Sequence, residues 1–278
     1  MTSEPDLVRS RANPLFKRLR ALKQRGPEGG VCLLEGPRLV LEALAAGIEI
    51  AEAAASPRVK GRPRGRAALA ALRARGLAVR GLHDELLASL SDADSTQGLV
   101  ALARRPAFDE ARLYEGTPLV VVAVGVQDPG NLGGLLRTAE AAGATGAYLT
   151  EGCVDPCSWK ALRGSMGSAF RLPHLRRLSA SEALDRLEAR GVPVLATAAD
   201  GETRYDEADL ASPVALVVGG EGAGIPEPLA RRARARLRIP LAAGVESLNV
   251  GVAAGVVLLE AARQRGFPAA ALAAVGSD

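Results

Sequence analysis

The sequence predicts an α/β protein with a smaller N-terminal domain and a larger C-terminal domain built on an open, mostly parallel β-sheet. The 278 residues are enough for two ordinary domains, and 48% of them are hydrophobic, so each domain can bury a core. Short apolar runs alternate with helical patterns along the chain, which is typical of α/β folds. Residues 118–124 form a continuous, largely β-branched run of the kind that a parallel sheet buries on both faces.

The N-terminal domain is expected to span residues 1–105. Its first helix should begin at Asn13 and Pro14, because Asn caps free N–H groups and Pro suits the first helical position. We expect helices at residues 15–24, 37–46 and 67–75 and strands at residues 31–34, 48–54 and 99–103. The Gly- and Arg-rich residues 61–66 predict a basic loop.

The second half of the chain predicts a further α/β domain at residues 118–268. A polar linker at residues 106–117 precedes it, and an Ala-rich tail at residues 269–278 follows it. After the strand at residues 118–124, strands are expected at residues 147–150, 192–197, 214–218 and 237–239, and helices at residues 132–142, 181–190, 225–233 and 249–264. This alternation predicts a parallel sheet with helices on both faces.

The net charge of +4 is unevenly distributed along the chain. Residues 1–105 hold 18 Lys and Arg against 11 Asp and Glu, whereas the remainder holds 17 against 20. This asymmetry favours a polyanion as the partner of the N-terminal domain, although a solvated basic surface would leave the same pattern. The candidate contacts near the first helix are Arg9, Arg11, Lys17, Arg18, Arg20 and Lys23.

Several functional classes are excluded by composition. No apolar run approaches the roughly 20 residues that a membrane-spanning helix needs. The acidic N-terminus lacks the apolar core of a secretory signal. Three cysteines cannot all pair with one another, and two histidines cannot build a typical metal site. We therefore expect a reduced, cytoplasmic, metal-free protein.

A first polar, glycine-rich stretch, residues 128–140, follows a predicted strand and begins a helix. Polar groups at such a junction face whatever binds beyond the carboxyl end of the strand. The G-x-G-x-x-G spacing of a dinucleotide-binding loop is absent, and that interpretation leaves Asn131 and Arg137 unexplained. The alternative is a capped helix with an exposed Arg137.

A second stretch, residues 217–226, surrounds Glu221 with four glycines after a predicted buried strand. Glycines let a backbone approach a ligand closely, and Glu221 is placed to accept hydrogen bonds from a bound group. The alternative is that the carboxylate caps the next helix, which leaves the density of glycines without a cause.

A third stretch, residues 239–255, joins a strand to the last predicted helix, which Ser247 or Asn249 begins. Both residues are good caps on structural grounds alone. The apolar residues Val252, Val256 and Leu259 predict the buried face of this helix.

Together the three stretches resemble the three motifs of the SpoU–TrmH branch of the SPOUT RNA methyltransferases, in order and in spacing. The matching residues are Asn131, Gly133, Arg137, Thr138, Ala139 and Gly143 in the first stretch, Gly219, Glu221, Gly222 and Gly224 in the second, and Ile239, Pro240, Gly244, Ser247, Leu248, Asn249 and Val250 in the third. Residues 13–19 and 34–36 resemble the ribosomal-protein-like RNA-binding domain that is fused to many of these enzymes.

The resemblance implies a C-terminal SPOUT domain with a deep trefoil knot that binds S-adenosylmethionine and methylates a ribose 2′-hydroxyl of RNA. The residues implied to hold the cofactor are Thr197, Gly219, Ile239, Leu241 and Leu248. Arg137 is implied as the base or hydroxyl activator, and the residues implied to arrange it and the RNA are Asn131, Glu221, Ser247 and Asn249. Because guanidinium stays protonated in proteins, Arg137 has the alternative role of binding the adjacent phosphate. The family's composite active site also implies a homodimer formed through the C-terminal domain.

The sequence departs from the family pattern at Gly220, where Asn or Ser is common, at Leu241, where Met is common, and at Gly251, where Ser is common. Ribosomal RNA is the favoured substrate because of the N-terminal domain, and transfer RNA remains open. Three other functions stay open: a non-catalytic RNA- or ribosome-binding protein, a nicotinamide-dependent oxidoreductase, and a SPOUT enzyme that methylates a base.

Overall fold

The computed structural model describes residues 7–90, 97–222 and 224–267, which form two compact units. The first unit comprises the described residues up to Phe108 together with Asp128–Arg137 and Val154–Arg171. The second comprises Asp109–Gln127, Thr138–Cys153 and the described residues from Leu172 onward. The division into domains at residues 1–105 and 118–268 stays a prediction, and the expected tail at residues 269–278 lies outside the described residues.

The secondary structure of the described chain alternates as predicted. The strands are β1 (Val31–Glu35), β2 (Ile50–Ala55), β3 (Val79–Gly81), β4 (Leu99–Arg104), β5 (Leu119–Val124), β6 (Gly146–Thr150), β7 (His174–Leu178), β8 (Val194–Thr197), β9 (Thr203–Arg204), β10 (Val214–Gly219) and β11 (Ala235–Arg238). The α-helices are α1 (Pro14–Arg25), α2 (Pro37–Ala45), α3 (Pro63–Ala74), α4 (Asp84–Ala88), α5 (Pro129–Ala141), α6 (Trp159–Ser165), α7 (Ser168–Arg171), α8 (Ala180–Ala189), α9 (Glu227–Ala230) and α10 (Val250–Gln264). Short 3₁₀ helices lie at Pro57–Gly61 and Glu110–Tyr114.

The first unit is built on a four-stranded sheet in the order β1-β4-β2-β3. Strand β4 pairs antiparallel with β1 and β2, and β2 pairs parallel with β3. Helix α1 begins as predicted, because the Asn13 side chain accepts a hydrogen bond from Leu15 N at 2.9 Å. Its apolar face shares a core with strand residues such as Leu33 and Leu102 and with Trp159 of α6.

Trp159 is only 6% exposed, and two cationic groups lie close to its rings. Lys23 Nζ lies 5.0 Å and the Arg163 guanidinium 4.8 Å from the centre of its rings. Cations at such distances are attracted by the negative face of an aromatic ring. This contact ties α1 to α6 and adds to the burial of apolar area in the first core.

The expectation of a basic loop at residues 61–66 is wrong, because α3 begins at Pro63. Proline has the backbone angle that the first helical position requires and lacks only an N–H group that would be unpaired there. The buried Val59 of the preceding 3₁₀ helix packs beneath this turn. The basic residues of the segment therefore project from a helix start.

The second unit contains a seven-stranded sheet in the order β7-β6-β5-β10-β8-β11-β9, with every pair parallel. This confirms the predicted parallel sheet, and every residue of β5 is buried. Strand β7 was not predicted because its sequence, HLRRL, carries two arginines, which edge strands tolerate and central strands do not. The trefoil knot stays a prediction of the resemblance. Among the described residues, no helix is both long and apolar enough to cross a membrane.

Helix α9 is shorter than the predicted helix at residues 225–233. Ile225 precedes Pro226, and a residue in that position is disfavoured in helical conformation. At the other end Arg234 N already donates a hydrogen bond to Val194 O, at the start of the β11 pairing. The helix is therefore confined to a single turn.

The predicted buried face of α10 is also wrong, since Val252 is 53% and Leu259 50% exposed. The helix is apolar around most of its circumference, and it turns a different face inward, which includes Ala254, Val257 and Leu258. Small residues such as Ala254 allow the helix to approach its neighbours closely. The remaining apolar side chains form an exposed stripe along the helix.

Arg265 joins the end of α10 to two distant segments of the second unit. Its guanidinium donates hydrogen bonds to the backbone oxygens of Thr117, Pro118, Leu210 and Ser212 at 2.6–3.1 Å. Burial lowers the pKa of this guanidinium from its ordinary value. Removal of this side chain would leave these four carbonyl groups without the hydrogen bonds that it donates.

We expect Arg265→Met to lower the free energy of unfolding by about 3 kcal/mol, because hydrogen bonds from a charged donor are lost while their acceptors stay in place. Arg263→Met is the matched control, because Arg263 is exposed and, among the described residues, pairs only with Glu260, at 2.7 Å. Its loss should cost less than about 1 kcal/mol. Urea unfolding followed by circular dichroism measures both, and equal losses would contradict the assigned role.

Candidate active site

A cavity of about 380 Å³ lies at the carboxyl ends of β8, β10 and β11. These strands are adjacent and parallel, so the loops that follow them leave the sheet at the same edge. Ligands of open α/β sheets bind at this edge. The cavity is lined by Thr197, Ala198, Ala199, Gly219, Gly220, Glu221, Gly222, Gly224, Ile225, Leu237, Ile239, Leu241, Ser247, Leu248, Val250 and Ala253.

The chemistry of this lining is apolar side chains, glycine backbone and few polar groups. Glu221 is the one ionisable residue among the lining residues, and none of them is Lys or Arg. A polyanionic ligand would meet the carboxylate of Glu221 here, with no lysine or arginine among the lining residues. An uncharged ring with a cationic or zwitterionic tail suits such a cavity better.

The glycines of the β10 loop are required by the close approach of backbone segments. A Cβ atom at Gly219 would lie 2.2 Å from the carbonyl carbon of Gly224, and one at Gly220 would lie 2.3 Å from the oxygen of Gly125. Gly220 N also donates to Val124 O at 2.8 Å. At Gly220, where the sequence departs from the family pattern, the backbone is in tight contact with the loop that follows β5. The cavity wall at this position therefore consists of backbone atoms alone.

Asn249 connects the third stretch to the second. Its Oδ1 accepts hydrogen bonds from Gly251 N at 2.9 Å and Val252 N at 3.3 Å, which caps α10. Its Nδ2 donates to Glu221 Oε1 at 2.8 Å. Asn249 therefore caps α10 and also contacts Glu221, and its catalytic role stays a prediction. Ser247 does not cap α10; it is exposed and lines the cavity.

The residues that were expected to hold a cofactor all line this cavity: Thr197, Gly219, Ile239, Leu241 and Leu248. Thr197 Oγ1 also donates to Val217 O at 3.3 Å and so joins β8 to β10. Sequence reasoning missed neighbours such as Ala198, Ala199 and Ala253. Ala198 and Ala199 were detectable as the residues directly after the end of a predicted strand, whereas Ala253 carries no signal of its own.

Asn131 and Arg137 both lie on α5. Asp128 caps this helix, because its Oδ1 accepts a hydrogen bond from Asn131 N at 2.8 Å. Arg137 lies six positions after Asn131, which corresponds to a rise of about 9 Å along the helix. Asn131 is half-buried, while Arg137 is exposed and forms no ion pair with the described residues. Their catalytic roles stay predictions.

The basic residues predicted to contact a polyanion are exposed around α1, with Lys23 half-buried. Two of them have partners within the protein, since Arg18 pairs with Glu52 and Lys23 lies over Trp159. Arg9, Arg11, Lys17 and Arg20 remain available at the surface. The role of all six in binding stays a prediction.

None of the three cysteines, Cys32, Cys153 and Cys157, forms a disulfide. A hydrogen bond with Cys157 and burial raise the pKa of the Cys32 thiol, and burial raises the pKa of the Cys153 thiol. Thiols with raised pKa values stay protonated and are poor nucleophiles. Within the described ranges, no group of three or more His, Cys, Asp and Glu side chains is arranged to hold a metal ion.

Two parts of the chain match known families. Residues 118–259, just over half of the chain, match the SpoU rRNA Methylase family, and residues 13–101 match the MRM3-like substrate binding domain. The first match contains all three glycine-rich stretches and every residue of the cavity wall.

Individual proteins are similar over most of the chain. An uncharacterized tRNA/rRNA methyltransferase of Synechocystis sp. is 35% identical over 95% of this chain and 96% of its own length. A 23S rRNA (guanosine-2′-O-)-methyltransferase of Ralstonia nicotianae is 37% identical over 71% of this chain and 81% of its own. The crystal structure of an AdoMet-bound rRNA methyltransferase from Sinorhizobium meliloti superposes with a TM-score of 0.80 at 35% identity, covering 93% of this chain and 97% of that one. The protein therefore belongs to the SpoU rRNA methylase family, as the resemblance of its three stretches implied.

Proposed function

We propose that this protein transfers the methyl group of S-adenosylmethionine to a ribose 2′-hydroxyl of ribosomal RNA. The observation that carries the proposal is the cavity at the carboxyl ends of β8, β10 and β11, with its apolar and backbone lining. The Ralstonia relative is a 23S rRNA 2′-O-methyltransferase, and the Sinorhizobium structure contains AdoMet. Both support the same reaction.

The lining of the cavity fits this cofactor. Apolar residues such as Ile239, Leu241 and Leu248 suit the adenine ring, and the bare backbone at Gly219 and Gly220 offers hydrogen-bonding groups without side chains in the way. The cofactor, when bound, supplies a methyl group activated by a sulfonium ion. Because no lysine or arginine is among the lining residues, no cation of the lining repels the positive charge of the sulfonium ion.

The protein's own part in the reaction is to position a ribose hydroxyl and manage its proton. Holding two reactants in a near-attack geometry contributes roughly 7–11 kcal/mol to catalysis. We propose that Arg137 binds the RNA beside the reacting hydroxyl and that Asn131 supports it. Glu221, held by Asn249, and Ser247 are proposed to orient the RNA at the cavity.

The N-terminal region is proposed to hold the RNA, and residues 118–268 are proposed to form the methyltransferase domain. The match of residues 13–101 to a substrate-binding domain supports the first assignment. We propose a cytoplasmic location, because ribosomal RNA is the proposed substrate. The Synechocystis relative's name covers both RNA classes, so transfer RNA is the alternative substrate.

We also propose that the protein is a homodimer formed through α10. Val252 and Leu259 are two turns apart on the same side of this helix and are both about half exposed. Soluble monomers rarely expose contiguous apolar stripes, which usually mark interaction surfaces.

The function is tested by incubating the purified protein with S-adenosylmethionine carrying a labelled methyl group and with unmodified 23S ribosomal RNA or transfer RNA. We expect label at a 2′-oxygen of the ribosomal RNA, and we expect binding of the cofactor to the protein without RNA to be unchanged by EDTA, because the lining residues offer no metal ligand set. Label on a base, label in transfer RNA alone, or loss of cofactor binding in EDTA would each contradict the proposal.

We expect Arg137→Ala to lower the rate of single-turnover methyl transfer by roughly 100-fold or more, as expected for loss of a charged group near the reacting atoms. Asn131→Ala should lower it less. Calorimetry should show unchanged cofactor affinity for both. Arg231→Ala, which removes another exposed arginine, is the control and should react normally. Near-normal transfer by Arg137→Ala would make Arg137 an ordinary surface residue.

We expect the wild-type protein to have twice the 28.6 kDa mass of one chain in light scattering. The double variant Val252→Glu/Leu259→Glu should have the mass of a monomer, because two carboxylates cannot be buried unpaired at an interface. Ala74→Glu, an exposed site at the end of α3, is the control and should leave the dimer intact. A monomeric, active wild-type protein would exclude the dimer.

A further inference from the structure

We infer that the phosphate backbone of the RNA substrate binds at a basic turn where the 3₁₀ helix Pro57–Gly61 meets α3. The basic turn consists of Lys60, Arg62, Arg64 and Arg66. The inference rests on the proposed function, which supplies RNA as the partner. It names a surface apart from the residues around α1.

The charge distribution locates the positive surplus at this part of the chain. Residues 57–83 contain eight Lys and Arg and no Asp or Glu. Residues 1–56, which include α1, hold eight Lys and Arg against seven Asp and Glu. The surplus of the N-terminal region therefore comes from the acid-free segment at residues 57–83. An unbalanced surface of one sign attracts a polyanion.

The four residues of the basic turn are exposed, and their side chains form no ion pairs with the described residues. Their neighbour Arg58 differs, because its Nε lies 2.9 Å from Asp84 Oδ2. Around α1, Arg18 and Lys23 are already engaged by Glu52 and Trp159. The basic turn thus presents its charges without a carboxylate partner among the described residues.

The backbone beneath these side chains is held in one geometry. A Cβ atom at Gly65 would lie 1.9 Å from Val59 O, so the start of α3 packs directly on the 3₁₀ helix. Arg66 Nη1 donates to Lys60 O at 3.0 Å, which joins the two ends of the turn. A surface that is already ordered loses little conformational entropy when it binds.

The start of α3 is itself unfavourable for cations. The first turn contains no acidic residue, and the N-cap residue Arg62 makes no side-chain capping hydrogen bond. The dipole of a helix is positive at this end, so arginines here oppose helix stability, whereas a phosphate is attracted by the dipole and by the free N–H groups. Because these arginines reduce the stability of the helix, their presence at its start indicates a role in binding.

The test measures filter binding of an unmodified 23S ribosomal RNA transcript to the full-length protein over a salt series. The variant carries Arg62→Gln, Arg64→Gln and Arg66→Gln. We expect Kd to rise by about tenfold or more at 0.1 M salt, and the slope of log K against log salt to fall by about 2, because each lost phosphate contact removes about 0.7 on single-stranded RNA. The matched control, Arg112→Gln/Arg177→Gln/Arg231→Gln, removes the same charge from exposed positions outside the N-terminal region and should change the slope by less than about 1.

Cofactor titration and thermal unfolding of the same samples show that each variant is folded. If the basic-turn variant binds RNA like the wild type, or the control loses as much affinity, the inference is overturned while the proposed function stands. If the wild-type protein neither binds nor methylates the transcript, the proposed function fails, and the inference fails with it.

Discussion

The parallel pairing of β10 with β5 and β8 is the constraint on which the site depends. Because neighbouring strands run in the same direction, loops far apart in the sequence leave the sheet at one edge and bring Thr197, Gly219 and Ile239 to a single cavity. Antiparallel pairing would have sent alternate loops to opposite edges. The same pairing crowds the backbone at that edge, as the contact between Gly220 and Gly125 demonstrates. Side chains are excluded at Gly219 and Gly220, so backbone groups alone form that part of the cavity wall.

A single amide joins the stability of α10 to the geometry of the cavity. The oxygen of Asn249 satisfies free N–H groups of the helix, and its nitrogen fixes the carboxylate of Glu221. A residue whose two polar atoms have separate partners cannot rotate without breaking both contacts. The residue that caps α10 therefore also holds the Glu221 carboxylate in place, and no further side chain is needed for this.

Local signals in the sequence predicted much of this arrangement, and packing decided the rest. Asn13 marked the start of α1, and the β-branched run of β5 marked a central strand, because each depends on its own neighbourhood. The buried face of α10 was not predictable, since apolar residues such as Val252 lie all around the helix and periodicity cannot choose among them. Strand β7 escaped because its arginines suit an edge that only the assembled sheet defines. The contribution of Trp159 to the first core is likewise a long-range event without a local signal.

Trp159 is the single tryptophan of the sequence, and its place in the first core has a spectroscopic consequence. Its indole is shielded from solvent and lies close to Lys23 and Arg163, so its emission reports on the integrity of that one hydrophobic cluster. No tryptophan lines the cavity of the second unit. Intrinsic fluorescence therefore follows the loosening of one half of the molecule, and ligand occupancy in the other half has to be observed by a different signal.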